Sequence, residues 1–319
     1  IFGAFLIYGA GAVMAHQAQS LEVLLAARIL QGLGAAGPRI VGLAMIRDLY
    51  AGRDMARVSS FVMMVFMVVP AVAPSIGAAI IHVWDWRAVF LAFIAFALIG
   101  GSWVGTRQPE TLAVANRRPL SVLNITGAAR EVLSDRQVLI CTAVLTLGFG
   151  QMFGLLASIQ QLFTDTYGRG PGFPLWFALI AAFSALSAIV NARFVMKIGM
   201  RGMCIRAYLF QIIFSVAALA LTQTGFLTGT PAFAVFFIWA TSVFFLSGFT
   251  YGNLNALALQ RMGHIAGMAA SIVTAVATIG AVVITAPLGL AFDGTPVPVM
   301  VGSLACSGLA FWLMRKTVR

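Results

Sequence analysis

In 319 residues the chain carries 61% hydrophobic and only 9% charged side chains, with a mean hydropathy of +0.98, whereas a soluble domain has about 25% charged residues. That balance excludes a soluble fold and predicts an all-α polytopic membrane protein. The formal net charge of +11 would suit a nucleic-acid partner, but the placement of the charges, set out below, excludes one.

A hydrocarbon core of about 30 Å takes about 20 apolar helical residues. Ten spans are expected on that scale, at 1–15, 21–46, 59–82, 87–106, 138–163, 175–195, 203–222, 232–257, 267–291 and 297–314. Span one begins at Ile1, inside an apolar run and without an initiator Met or basic leader, so the natural chain is expected to start further upstream.

Span two contains the string Arg28-Ile29-Leu30-Gln31-Gly32-Leu33-Gly34-Ala35-Ala36. A guanidinium stays charged in a protein, and at bilayer depth it costs about 2.5–3.5 kcal/mol on insertion scales. Arg28 is therefore expected to face a polar cavity or a partner. Arg39 lies about three turns further on the same face, and Gln31 is one turn from Arg28. Gly32, Gly34 and their small neighbours form a stripe that lets a second helix come close.

Span three holds Pro70 and Pro74, four residues apart, where each removes a backbone donor. A kink or loosened turn is expected near Phe66–Pro74, with Gly77 allowing close packing below it. The stretch 107–137 is the longest polar one. It separates four spans from six and reads as a linker between two membrane domains, 1–106 and 138–319.

In the second domain Gln151 lies mid-span and is a cavity candidate, as are Asn253 and Asn255 near the inner end of span eight. For the two asparagines, end capping or helix–helix hydrogen bonding is the competing reading. Cys141, Cys204 and Cys306 lie in or at the ends of apolar segments and read as small buried hydrophobes. No HExxH, CxxC or carboxylate cluster is present, so neither a metal site nor an enzyme is expected.

Of the 20 basic residues, 16 fall in loops or at span ends on one side, Arg87 and Arg169 fall on the other, and Arg28 and Arg39 lie within span two. The positive-inside rule places the 16-residue side, with the linker and the C-terminus, in the cytoplasm. None of the nine acids, from Glu22 to Asp293, lies in the middle of a span, although a proton-coupled transporter titrates a buried carboxylate. Met55–Val62 and Met268–Val273 are similar, and each precedes an Ala-Pro pair, at Ala73-Pro74 and Ala286-Pro287. This suggests two related halves.

These residues resemble a family. Arg28-x-x-Gln31-Gly32 with Gly34-Ala35-Ala36 is similar to the fourth-helix motif of proton-coupled major facilitator transporters. Pro70 to Gly77 resembles the antiporter motif of the fifth helix, with Ala73 where a Gly is expected. Trp84-Asp85-Trp86-Arg87-Ala88-Val89-Phe90 resembles the start of the sixth. Asn191-Ala192-Arg193 with Lys197, Gly199 and Arg201 resembles the C-half copy of the cytoplasmic loop motif, with Asn191 in place of Asp. Ile46-Arg47-Asp48-Leu49-Tyr50 and Gly252-Asn253-Leu254-Asn255-Ala256-Leu257-Ala258 resemble the bicyclomycin-resistance (Bcr/CflA) branch of drug:proton antiporters.

The resemblance implies a twelve-helix fold of which this chain holds helices 3 to 12, and a proton-carrying acid on the absent first helix. It implies a monomer in the bacterial inner membrane that exports drug-like compounds in exchange for protons by alternating access. No cofactor is expected beyond the proton gradient. Arg28 and Gln31 would act in proton coupling, and Pro74 and Gly77 would seal against leak. The truncated chain is expected to be inactive alone. A major facilitator importer of a small metabolite and a non-transporting membrane sensor or subunit are the alternatives.

Overall fold

The computed structural model describes residues 1–50, 52–110 and 122–317, with side chains at all of these except a set of positions within 39–71 and at 122–125. Among the described residues there is no strand. The described residues form eleven α-helices in succession: α1 Phe2–His16, α2 Leu21–Leu49, α3 Gly52–Val83, α4 Ala88–Arg107, α5 Val122–Ser134, α6 Arg136–Gln161, α7 Phe173–Ile198, α8 Met200–Gln223, α9 Gly229–Leu259, α10 Ala266–Leu290 and α11 Val297–Arg315. A helix occupies each of the ten expected spans. Among the described residues α4 and α6 to α11 are long and apolar enough to cross a membrane; α1, with 15 residues, is shorter than that.

The breaks between helices have local causes. The Ser20 hydroxyl accepts from the Val23 amide at the start of α2. Asp135 accepts from the Gln137 and Val138 amides at 2.8 and 3.0 Å and so starts α6. Gly199 separates α7 from α8 with φ +80°, a conformation that costs glycine little. The chain of α6 continues past Gln161 in one wide π turn, Leu162–Thr166, so the helical segment extends further than the 138–163 expected.

The chain divides into two units, Ile1–Pro119 and Leu120–Arg319. In the first, α1 lies along α2, and α4 packs on the other side of α1. Small residues make the α1–α2 seam. A Cβ on Gly11 would sit 2.8 Å from the Gln31 amide nitrogen, and one on Gly34 would sit 2.7 Å from the Ala4 carbonyl oxygen. A Cβ on Gly32 would meet nothing within 4 Å, so the stripe read in the sequence serves the seam at Gly34 and Gly37 and not at Gly32. At one end of this unit, Arg87 Nη2 donates to the Ala18 carbonyl at 3.2 Å, and His16 Nδ1 donates to the Arg87 carbonyl at 3.1 Å.

The second unit has two cores, one toward each end. Val144, Leu145, Tyr208, Leu254 and Met314 fill the first. The other is aromatic: Phe163 packs edge-on against Phe173, Phe233 and Phe236 with centroids 5.4–5.7 Å apart. Such pairs contribute about 0.5–1.5 kcal/mol each beyond the area they bury. Buried Trp239 donates to Ser215 Oγ at 3.1 Å.

The linker read across 107–137 contains α5, which packs on this second unit through buried Ala128 and Val132. Glu131 meets His264 at 2.9 Å and Asp135 meets Arg261 at 3.7 Å. Residues 111–121 lie outside those described.

Two outcomes follow from this packing. Gly34→Leu drives a side chain into α1 backbone and is expected to cost about 1–3 kcal/mol, whereas Gly32→Ala is neutral or slightly stabilising; thermal unfolding in detergent, followed by circular dichroism, checks the contrast. Val132→Asp puts a charge in a fully buried site and is expected to release α5, read as faster tryptic cleavage after Arg130 and Arg136 with the helical signal of the spans retained.

Candidate functional site

Arg28 and Gln31 are joined. Three residues apart on α2, they share a face, and Arg28 Nη1 donates to Gln31 Oε1 at 3.0 Å. Gln31 is 3% exposed. Its Nε2 is buried and has no hydrogen-bond partner among the described residues. A buried amide donor left unpaired costs about 1–3 kcal/mol, so the position is held at a cost. Arg28 itself is exposed, about 10 Å along the axis from the start of α2.

The other first-unit residues sit apart from this pair. Gly32 is exposed and unpacked. Arg39 lies on α2 and Pro70 on α3, but both side chains fall outside those described. Helix α3 is assigned as one helix over Gly52–Val83, both prolines included. The close packing expected at Gly77 is not found: nothing described lies within 4 Å of a Cβ there. Pro38 also lies inside α2, next to Arg39, and removes a backbone donor about two turns beyond Gln31.

In the second unit Gln151 is buried between helices and is not on an open surface. Its Oε1 accepts from Ser303 and Ser307 of α11 at 2.8 and 3.1 Å, while Nε2 has no partner among the described residues. It therefore ties α6 to α11. Asn253 Nδ2 donates to Asn191 Oδ1 and to the Phe249 carbonyl, both at 2.8 Å. Two residues picked out for separate reasons thus form one bridge between α9 and α7. Asn255 Nδ2 donates to the Tyr251 carbonyl of its own helix.

The remaining loop-motif residues point in different directions. Arg193 and Lys197 are exposed on α7. Arg201 reaches the end of α11: Nε donates to Thr317 Oγ1 at 2.7 Å and Nη2 to the Arg315 carbonyl at 3.1 Å. A cation at a helix C-terminus is favoured by the carbonyls left free there. Beside it opens a cavity of about 560 Å³, bordered by Gln137, Gly199, Arg201, Leu257 and Arg261.

Among the described residues no three His, Cys, Asp or Glu side chains gather as metal ligands would. In the α10–α11 loop, the Thr295 hydroxyl and amide donate to Asp293 Oδ1 at 2.7 and 2.9 Å. They hold this carboxyl below the usual carboxylate range, which suits a loop staple better than a proton carrier.

Several known proteins are similar to this chain in sequence or in fold. The bicyclomycin resistance protein homolog of Haemophilus influenzae is 27% identical over 310 residues, covering 95% of this chain and 76% of that protein. The multidrug transporter MdfA of Yersinia pestis is 32% identical over 142 residues, 44% of this chain and 34% of its own. The chloramphenicol resistance protein CraA of Acinetobacter baumannii is 29% identical over 182 residues, 54% and 43% of the two chains. Among solved structures, a bacterial homologue of the iron transporter ferroportin in its outward-facing state superposes with a TM-score of 0.65 at 17% identity, over 99% of this chain and 80% of that one; at that identity the likeness concerns the fold. The sequence profile of the Major Facilitator Superfamily matches residues 1–285, and with the helical architecture above this makes the chain a multi-pass membrane transporter protein that belongs to that superfamily.

Proposed function

We propose that this protein exports drug-like amphipathic compounds across a bacterial inner membrane in exchange for protons, by alternating access. The observation that carries the reading is the Arg28–Gln31 pair: a permanent cation in an apolar helix, bonded to a buried amide that keeps one donor unused. A cation in that setting stabilises a nearby carboxylate and resists its protonation. A carboxylate facing Arg28 would thus release its proton readily when the cation is near and hold it when the cation is drawn away. Gln31 would steer the guanidinium between the two conditions.

The mechanism needs a mid-span carboxylate, and none of the nine acids in these 319 residues lies in the middle of a span. The names of the relatives, which include bicyclomycin resistance, multidrug transport and chloramphenicol resistance, support export of drugs in preference to uptake of a metabolite. Pro74 and Gly77 sit on α3 where the antiporter motif would seal the path. We place the basic loops, α5 and the C-terminus in the cytoplasm, and the protein acts as a monomer with lipid, proton and drug as its partners.

The test uses the full reading frame that contains these residues, expressed in a drug-sensitive strain. Arg28→Ala is expected to lower resistance about tenfold or more, the range of a coupling free energy between two sites, and to flatten its dependence on external pH. Gln31→Leu is expected to do the same more weakly. If Arg28→Ala, present in the membrane at wild-type level, leaves both resistance and its pH dependence unchanged, the role given to the pair is wrong.

A further inference from the structure

Between Asp165 and Asp293 the chain has no acid at all. Residues 166–292 hold six Lys and Arg residues and no Asp or Glu. Within the second unit, two of the cations at the basic end are engaged: Arg201 on the Met314 and Arg315 carbonyls of α11 and Arg261 on Asp135. Arg193, Lys197 and Arg206 have no hydrogen bond or ion pair among the described residues and are exposed. Their counter-charge does not come from the helices that carry them.

Arg206 is the most demanding of the three. It lies six residues into α8, about 9 Å along the axis, and it borders a groove of about 290 Å³ between α7 and α8. Every other lining residue is apolar. Val190 and Phe194 form one wall, Ala207 and Phe210 the other, and Phe249 of α9 is at the floor. The walls open outward: Phe194 is 41% and Phe210 63% exposed. Val190 and Phe194 are one turn apart, as are Arg206 and Phe210, so both walls run along the helix axes. The groove is therefore a slot parallel to the span, apolar along its length, with one fixed cation near the basic end. Arg193 and Lys197 stand on α7 close to that end.

An acyl chain fits the slot, and a phosphate fits the guanidinium, which binds it in a bidentate fork. A cation just inside a span reaches toward the headgroups of its leaflet, and basic pockets between spans take anionic lipid headgroups. We infer that the α7–α8 groove is a site for one anionic phospholipid, its phosphate on Arg206 and one acyl chain along Phe194 and Phe210.

The chain, purified in detergent without added lipid, is titrated with phosphatidylglycerol and with phosphatidylcholine of the same acyl chains, and bound lipid is counted by native mass spectrometry. Phosphatidylglycerol is expected to bind about fivefold more tightly, the gain of one basic residue at a lipid surface. Arg206→Gln is expected to remove that preference while phosphatidylcholine binding and helical circular dichroism persist. Arg206→Lys keeps most of it, and Lys316→Gln, outside the groove, keeps all of it. Equal binding of the two lipids, or a preference that survives Arg206→Gln, overturns the proposal. Competition by glycerol phosphate, which has no acyl chain, at the concentration of the lipid would also overturn it, because the site would then take a free anion.

Discussion

A bilayer interior offers no water to a stray polar group and no hydrophobic gain when one helix meets another. Both facts shape every contact in this protein. Hydroxyls turn back to carbonyls of the preceding turn, as Thr142 does to Val138 and Thr222 to Ala218. Tyr208 and Tyr251 reach across to the Val144 and Gly148 carbonyls of α6 at 3.2 and 3.0 Å. Helices meet where side chains are small enough for backbones to approach, as at the α1–α2 seam. Van der Waals contact at short range, and not burial from water, then holds the spans together. The cost of leaving a donor unpaired makes the exceptions informative. Gln31 and Gln151 each keep a buried amide nitrogen without a partner among the described residues, one beside a cation and the other beside two serines of α11.

The helices were legible because hydropathy and length report directly on bilayer thickness. Breaks at Gly199, Ser20 and Asp135 carry local signals that a reader can find. Which face of a helix meets which neighbour was much less legible. Gly32 and Gly34 look alike in sequence, yet only Gly34 touches α1, because two residues are a rotation of about 200° on a helix. The Asn191–Asn253 bridge spans 62 positions, and the bond between Gln151 and Ser303 spans 152. Pairings at such separations are set by the tertiary arrangement and leave no local trace. Helix α5 was hidden for another reason: with 13 residues it is too short for a span, and it lies inside the longest polar stretch of the chain.

Charge placement does three jobs with one residue type. Loop arginines set which way the chain is threaded. Arg87 and Arg201 spend their donors on carbonyls and tie loops or helix ends together. Arg28 and Arg206, within spans, keep donors for something that is not a loop. The acids are few and mostly committed, as Asp135 is to the start of α6 and Asp293 to its own turn. An excess of cations over anions thus leaves the protein electrostatically incomplete by itself, and lipid, proton-carrying groups and solutes are what the surplus can address.

The clamp of Arg201 on α11 also has a consequence in time. Its acceptors lie 113 to 116 positions later in the chain. At roughly 5–20 residues per second of synthesis, the guanidinium waits on the order of ten seconds before the groups that will hold it exist. During that interval α7 and α8 are already threaded, and their junction is unclamped. The α7–α8 junction is therefore clamped only after translation has delivered the end of α11, and a ribosome that stalls in α10 or α11 leaves it open.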